Sequence, residues 1–180
     1  MDKNRMDRLR DRRSKLASIT RVQRDRELYG QRMATLLAPA LGRDVALSDF
    51  DTNVEAPIDR KFTKSLSEAS ERIAQSLTRE RASEIAECLE GSLTAFAGLV
   101  GIYANDYLGF CSVARVSFRG MIEASEAIEE SVIFYPSNVR GAVIIDCYKS
   151  PPGYPPFSVY IVGKNLAEQV AHCLNCINWS

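Results

Sequence analysis

Residues 132–162, with the sequence VIFYPSNVRGAVIIDCYKSPPGYPPFSVYIV, decide the fold that we predict for this chain. The stretch contains three runs rich in Val, Ile, Phe and Tyr, which are Val132–Tyr135, Ala142–Tyr148 and Phe157–Val162. Such residues favour β-strands. The links between the runs are short, and Pro136-Ser137-Asn138 and Pro151–Pro156 in them are turn sequences. Because strands joined by short links pair antiparallel, the stretch predicts an antiparallel sheet.

The chain on either side of this stretch shows helical periodicity instead. Apolar residues recur at intervals of three, four or seven between Met6 and Leu37, which predicts an amphipathic helix or two in series. Ser65-Leu66-Ser67-Glu68 matches a capping box at a helix start. Further apolar stripes predict helices over residues 66–77, 85–104 and 121–130, and a closing helix from about Asn165. Residues 110–118 remain ambiguous between strand and helix.

The order of these elements predicts an α+β fold. We expect a helical N-terminal half packed on a small C-terminal antiparallel sheet of three to four strands, with a closing helix. A length of 180 residues fits one compact domain. Within it we distinguish a basic amphipathic helical segment (residues 1–37), a connection (38–62) and an α+β core (63–180).

Charge is distributed unevenly along a chain of zero formal net charge. Lys and Arg number 23, as do Asp and Glu, while residues 1–32 carry 11 basic against 5 acidic side chains. The chain therefore has a basic N-terminal segment and an acidic remainder. Its 46% hydrophobic and 26% charged residues exclude disordered, collagen-like and disulfide-scaffold classes.

The cysteines and the apolar runs indicate where the protein resides. Five cysteines without regular spacing favour reduced thiols in a reducing compartment. The N-terminus is charged and lacks the apolar core of a signal peptide. The longest charge-free run, Gly91–Asn105, has 15 residues, whereas a membrane span needs roughly 20. These features predict a cytoplasmic protein that does not associate with membranes.

Two arrangements of cysteine and histidine are candidates for chemistry. Cys173-Leu174-Asn175-Cys176 is a C-x-x-C motif, but a zinc site of this type needs a second pair and a redox pair normally begins a helix. A structural role is therefore favoured. Cys147 could act as a nucleophile beside His172, the only histidine. Strand alternation, however, places Cys147 with Val143 and Ile145 on a core-like face. We predict no catalytic residue, no metal and no cofactor.

The basic segment offers an alternative function. Arginines and lysines of residues 1–32 could neutralise phosphates along a helix, which would make the protein nucleic-acid-associated. They are Arg5, Arg8, Arg10, Arg12, Arg13, Lys15, Arg21, Arg24 and Arg26. Acidic residues dilute the segment, and no aromatic residue precedes Tyr29 for stacking on bases. A solvated helix, or one that docks on the acidic remainder, is the competing interpretation.

The acidic remainder offers the leading hypothesis. Glu123, Glu126 and Glu130 form one helical stripe, which is either a solvated face or a surface that steers a basic partner. If the hairpin register places Asp146 near Tyr160, these two and Tyr148 share one sheet face. Tyrosine is frequent in interface hot spots, although the protein's own helices could cover that face. We predict protein binding through these six residues.

The leading functional hypothesis is a non-catalytic cytoplasmic protein-binding protein. In its most concrete form it is an inhibitor or immunity-type protein that neutralises a basic toxin or nuclease. The alternatives are the nucleic-acid-associated protein and a cysteine-dependent enzyme.

Overall fold

The computed structural model describes residues 3–54, 71–93, 97–103, 107–149 and 151–175, apart from the side chains of residues 3–11, 72 and 175. The helices in these ranges are α1 (Lys3–Leu41), α2 (Arg79–Ser92), α3 (Phe118–Ile128), α4 (Lys164–Gln169) and α5 (Ala171–Asn175), with a 3-10 turn at Leu47–Asp49. The strands are β1 (Phe50–Asp51), β2 (Arg72–Leu77), β3 (Gly98–Ile102), β4 (Phe110–Val113), β5 (Val132–Pro136), β6 (Ala142–Cys147) and β7 (Phe157–Val162).

These strands form one antiparallel sheet in the order β1-β4-β3-β5-β6-β7-β2. The α+β class is confirmed, and the three predicted strands are β5, β6 and β7. The predicted size of three to four strands is wrong, because the described sheet has seven. The additional strands come from segments that the sequence assigned to helices, to the connection or to the ambiguous stretch at residues 110–118.

Strand β2 replaces the second half of the helix predicted over residues 66–77. Ala74 and Leu77 both belong to the core beneath the helices, although a regular strand would point residues three apart to opposite faces. The pairing with β7 shifts between these two residues, and Ser76 adopts a φ of 55°. This bulge gives a strand the apolar spacing of a helix. The capping box at Ser65–Glu68 lies outside the described residues.

Strand β3 corrects the helix predicted to continue to residue 104, since α2 ends at Ser92. Two glycines allow β3 to sit between β4 and β5. A Cβ on Gly98 would overlap the backbone carbonyl of Tyr135, and one on Gly101 would lie 2.7 Å from the ring of Phe110. The glycines therefore serve close packing within the sheet.

Both faces of the sheet are buried. Alternate strand residues, such as Phe134, Val143 and Ile161, pack with helical residues in the main core. The opposite face carries a second cluster, made of Phe110, Ile133, Tyr135, Ala142, Ile144, Tyr160 and Val162. Burial on both faces explains why these strands are apolar throughout.

Helix α1 is a single helix of 39 residues, about 58 Å long. It extends past the predicted end at residue 37, so the predicted connection at 38–62 contains the end of α1, the 3-10 turn and β1, while residues 55–62 lie outside the described ranges. The side chains of residues 12–21 are all exposed, including Leu16 and Ile19. No helix in the described part of the chain is long and apolar enough to cross a membrane.

Arg26 fixes the middle of α1 to the loops at the sheet edge. Its guanidinium donates four hydrogen bonds to backbone carbonyls, to Tyr107 and Leu108 at 3.0 and 2.6 Å and to Leu47 and Phe50 at 3.1 and 2.7 Å. A planar fork with five N–H donors can bind two loops at once.

The C-terminal end of α1 meets the start of α3. The Ser117 N–H donates to the Ala40 carbonyl at 2.9 Å, and a Cβ on Gly120 would overlap the Pro39 carbonyl. On the other side, a Glu90 carboxylate oxygen accepts from the Phe118 N–H at 2.9 Å. A carboxylate there satisfies an unpaired N–H and complements the helix dipole.

We expect Gly120→Ala to reduce the free energy of unfolding by about 1–3 kcal/mol, because α1 or α3 must shift to admit the methyl group. Gly91→Ala is the matched control at an exposed position of α2, where a Cβ meets nothing within 4 Å. The control should leave stability unchanged or raise it by up to about 1 kcal/mol. Urea denaturation measures both variants, and equal stability of the two would contradict the close approach of the helices.

We expect Arg26→Lys to cost about 2–3 kcal/mol of stability, because one ammonium group cannot serve four carbonyls and leaves some of them unpaired. Arg24→Lys, on the exposed side of α1, should stay within about 0.5 kcal/mol of wild type. Chemical denaturation of the two variants in parallel decides the matter. If Arg26→Lys lost no more stability than Arg24→Lys, the four hydrogen bonds of Arg26 would not be what holds α1 to these loops.

Candidate functional site

The predicted acidic stripe lies at the C-terminal end of α3 and is exposed. Glu123 and Glu126 lie about one turn apart on the helix, and Glu130 follows its end. Glu129, which the prediction did not include, terminates the helix in a left-handed conformation with a φ of 59°. A helix C-terminus carries partial negative charge, which adds to that of these carboxylates.

Among the described side chains, two cations pair with carboxylates of this region. Arg79 at the start of α2 lies 3.3 Å from a Glu126 oxygen, and Lys149 lies 2.6 Å from a Glu129 oxygen. All four side chains are about half exposed or more, and exposed pairs contribute little free energy. The fold therefore does not depend on these two ion pairs for its stability.

Asp146 and Tyr148 lie at the end of β6, beside the stripe. Asp146 accepts a hydrogen bond from the Ser131 hydroxyl, in the loop that follows α3, at 2.8 Å. The Tyr148 hydroxyl donates to the Pro155 carbonyl at 3.1 Å across the hairpin, and its ring remains 39% exposed. The same hairpin exposes 69% of Tyr154. The structure thus brings Asp146 at the end of β6 near Glu126 and Glu129 at the end of α3, and the hairpin that follows β6 exposes two aromatic rings.

Tyr160 does not contribute to this exposed surface. The observed register pairs Asp146 with Ser158 and Ile144 with Tyr160, a difference of two residues from the register we considered. A shift of two keeps side chains on the same face, so Asp146 and Tyr160 do share one. Tyr160 is only 8% exposed, because it belongs to the buried cluster of the second sheet face.

Cys147 lies in a setting that opposes nucleophilic chemistry. It packs in the main core with Val143 and Ile145, as strand alternation predicted. Burial raises the pKa of the Cys147 thiol, and the nearby carboxylates of Glu126, Asp146 and Glu129 raise it further. A reactive cysteine needs the opposite environment. The described hydrogen bonds of His172 reach Ser92 and Cys173.

A second cluster, which the sequence did not reveal, forms where α5 packs on α2. Cys88 and Cys173 are joined by a disulfide across 85 residues of sequence. This corrects the expectation of reduced thiols for these two residues, whereas Cys111 and Cys147 are free and buried. Cys176, the second cysteine of the C-x-x-C motif, lies outside the described residues. The partner of Cys173 is thus Cys88, and no local spacing signals that pairing.

Two polar side chains complete this cluster. The Ser92 hydroxyl lies 2.8 Å from His172 Nε2 and 3.2 Å from Cys173 Sγ. It also donates to the Cys88 carbonyl at 2.6 Å. Two sulfurs, a ring nitrogen and a hydroxyl therefore converge between the end of α2 and α5, with His172 exposed to solvent.

The basic segment is exposed where its side chains are described. Arg12, Arg13, Lys15, Arg21 and Arg24 all lie on the surface of α1. Arg26 differs from them, because backbone carbonyls already bind its guanidinium. The side chains of Arg5, Arg8 and Arg10 lie outside the described part of the structure.

A cleft of about 690 Å³ opens at the ends of β3, β4 and β5. Its polar lining includes Ser112, Ser137, Asn138 and Arg140. Among its described lining residues there is no carboxylate, histidine or cysteine, so they offer no acid–base pair.

We expect loss of the disulfide to reduce stability by about 2–4 kcal/mol, since a cross-link across so long a loop restricts the unfolded chain. The measurement is urea denaturation of wild type with and without a phosphine reductant. Cys88→Ser/Cys173→Ser is the control, because reductant should not change its stability. No difference between oxidised and reduced wild type would show that the bond does not constrain the chain.

The chain was compared with protein-family models, with curated protein sequences and with solved structures. None of the three comparisons returned a match. The proposals for function therefore rest on two features of the molecule itself. One is the group of carboxylates at the ends of α3 and β6, and the other is the cysteine cluster.

Proposed function

We propose that this chain is a non-catalytic protein-binding protein that uses its acidic surface to bind a basic partner. The acidic surface comprises Glu123, Glu126, Glu129, Glu130 and Asp146, with the exposed rings of Tyr148 and Tyr154. One observation carries the proposal: Glu126 and Glu129 at the end of α3 lie near Asp146 at the end of β6, although Asp146 is remote from them in sequence.

The electrostatic field of this surface supports the proposal. Among the described side chains, the carboxylates outnumber the two cations that pair with them, and the C-terminus of α3 adds to the negative potential. Glu126, Asp146 and Glu129 all contribute to the raised pKa of Cys147, so their fields overlap at one place. Such a field raises the association rate of an oppositely charged protein.

The hairpin between β6 and β7 supplies the rest of an interface. Tyrosine provides a large contact area and a hydroxyl, and it is frequent among residues that dominate binding energy. The prolines at positions 151, 152, 155 and 156 restrict the backbone, so the hairpin loses little entropy when it binds. Tyr148 is already held by its bond to the Pro155 carbonyl.

The most specific form of this proposal is a cytoplasmic inhibitor or immunity-type protein that neutralises a basic toxin or nuclease. The acidic surface and the exposed tyrosines support it, because a positive cleft would complement them. A reducing cytoplasm would keep Cys88 and Cys173 as thiols.

A nucleic-acid-associated role is the second candidate, favoured by the five exposed basic side chains of α1 at positions 12–24. Binding through them would weaken steeply with added salt. The two candidates use different surfaces, so substitutions on one should leave the other intact.

We expect the triple variant Glu123→Lys/Glu126→Lys/Glu130→Lys to associate with the partner at least about tenfold more slowly at low ionic strength. The partner is first isolated from native lysate on the full chain, with nuclease present. Stopped-flow or surface plasmon resonance then gives the association rate, and the difference should shrink as salt rises.

The control is Glu27→Lys/Asp44→Lys/Glu168→Lys, which changes net charge equally at exposed positions on other elements. An equal rate reduction in this control would show that only net charge matters. An unchanged rate in the first variant would exclude the acidic surface. A parallel isolation without nuclease that recovers nucleic acid and no protein would favour α1.

A further inference from the structure

Three metal-ligating atoms converge between α2 and α5. Cys88 Sγ, His172 Nε2 and Cys173 Sγ all lie within 4.8 Å of one another. Two of these residues are neighbours on α5, while the third comes from α2, 85 residues earlier than Cys173. The disulfide explains why the two sulfurs lie together, but it does not explain why the imidazole nitrogen lies beside them. The position of that nitrogen is therefore a separate observation.

The spacing of these atoms fits a tetrahedral centre. A zinc ion binds thiolate sulfur at about 2.3 Å and imidazole nitrogen at about 2.0 Å, which places sulfur and nitrogen roughly 3.6 Å apart. The distance from His172 Nε2 to Cys173 Sγ is 3.7 Å. The helices therefore already hold one edge of such a centre without rearrangement of the backbone.

We propose that in the reduced protein Cys88, Cys173 and His172 form a binding site for Zn²⁺. Two thiolates and an imidazole supply three ligands, and water takes the fourth position, as in zinc sites with an open coordination position. This site does not depend on the acidic surface or on the identity of any partner.

Electrons and protons balance as follows. A phosphine gives two electrons to the disulfide and is oxidised to the phosphine oxide with the oxygen of a water molecule, whose two protons complete the thiols of Cys88 and Cys173. When zinc binds, both thiols lose their protons to solvent and the thiolates bind the metal. The disulfide and the zinc site therefore exclude each other, because oxidation removes both thiolates.

Ser92 determines where the imidazole proton lies before the metal binds. Its hydroxyl donates its single proton to the Cys88 carbonyl, so the 2.8 Å contact with His172 Nε2 is an N–H donated to Ser92 Oγ. Zinc needs Nε2 without its proton, and the neutral ring can carry that proton on Nδ1 instead.

Burial of the site is compatible with metal entry. Cys173 is buried and Cys88 half-buried, whereas His172 is exposed, so one side of the cluster opens to solvent. The Gln169 side chain donates to the Ser92 carbonyl at 3.3 Å and holds α4 against the end of α2. Ligands thus lie on packed helices with an open approach from the His172 side.

The test uses the full chain, reduced with a phosphine and freed of the reductant and of metal without oxygen. Zn²⁺ is titrated near neutral pH in competition with a chromogenic chelator, and Co²⁺ serves as a spectroscopic probe. We expect one metal per chain, with the cobalt bands of thiolate ligation in tetrahedral geometry. The disulfide form should bind no stoichiometric zinc.

Ligand variants identify the site. Cys88→Ser, Cys173→Ser and His172→Ala should each lower affinity by more than about 100-fold, since even an outer partner of a metal ligand is worth roughly 10- to 100-fold. Cys147→Ser removes a thiol elsewhere in the core and should bind zinc as wild type does. Circular dichroism checks the fold of each variant, and His172→Gln replaces His172→Ala if that variant unfolds.

Three results would overturn the proposal. One is the absence of stoichiometric binding to reduced wild type, and another is equal binding by the oxidised protein. The third is a cobalt spectrum and zinc affinity unchanged in the folded His172 variant. None of these results bears on the acidic surface, so the proposed protein-binding function would stand or fall separately.

Discussion

The contact between the end of α1 and the start of α3 is the constraint on which the arrangement of the helices depends. At Gly120 the two backbones approach so closely that a methyl group cannot fit. The Ser117 N–H bonds to the Ala40 carbonyl from one side, and the Glu90 carboxylate accepts from the start of α3 on the other. Since three helices meet at one point, the position of the start of α3 is fixed, and burial of its apolar residues in the main core sets its direction. That direction carries its C-terminus to the end of β6, where the acidic surface forms.

The sequence was informative wherever local pattern and tertiary structure agree. The three apolar runs after residue 131 became β5, β6 and β7, and the stripe at 121–130 became most of α3. The sequence was misleading where a local irregularity gives the apolar residues of one type of secondary structure the spacing that is typical of another. The bulge at Ser76 spaces Ala74 and Leu77 like residues of a helix, and Gly98 and Gly101 lie within the range 85–104 that apolar spacing assigned to a helix. Their need for close approach is a property of neighbouring strands, which no local window contains.

The candidate site divides in the same way. Helical spacing is sufficient to predict the stripe of Glu123, Glu126 and Glu130. The prediction that Asp146 and Tyr160 share a sheet face is also correct, because a register that differs by two residues leaves side chains on the same face. The exposure of Tyr160 could not be predicted from its place on that face. Both faces of the sheet are buried, so Tyr160 is part of a core. The disulfide was beyond prediction for a different reason. Cys88 and Cys173 meet only because α5 packs on α2, and a pairing across 85 residues leaves no spacing to recognise.

Helix α2 links the acidic surface and the cysteine cluster while keeping them apart. Arg79 at its first residue pairs with Glu126 of the acidic surface, and Cys88 and Ser92 near its end belong to the cysteine cluster. Arg79 and Cys88 lie nine residues apart, which is about 13 Å along a helix. Sites farther apart than roughly 7–10 Å that share no partner act additively. The stability effects of substitutions in the two clusters should therefore add. They would not add if α2 moved as a rigid rod when the disulfide at its end is reduced and zinc binds. Glu90, which lies between Cys88 and Ser92 in the last turn of α2, caps α3 and opposes such movement.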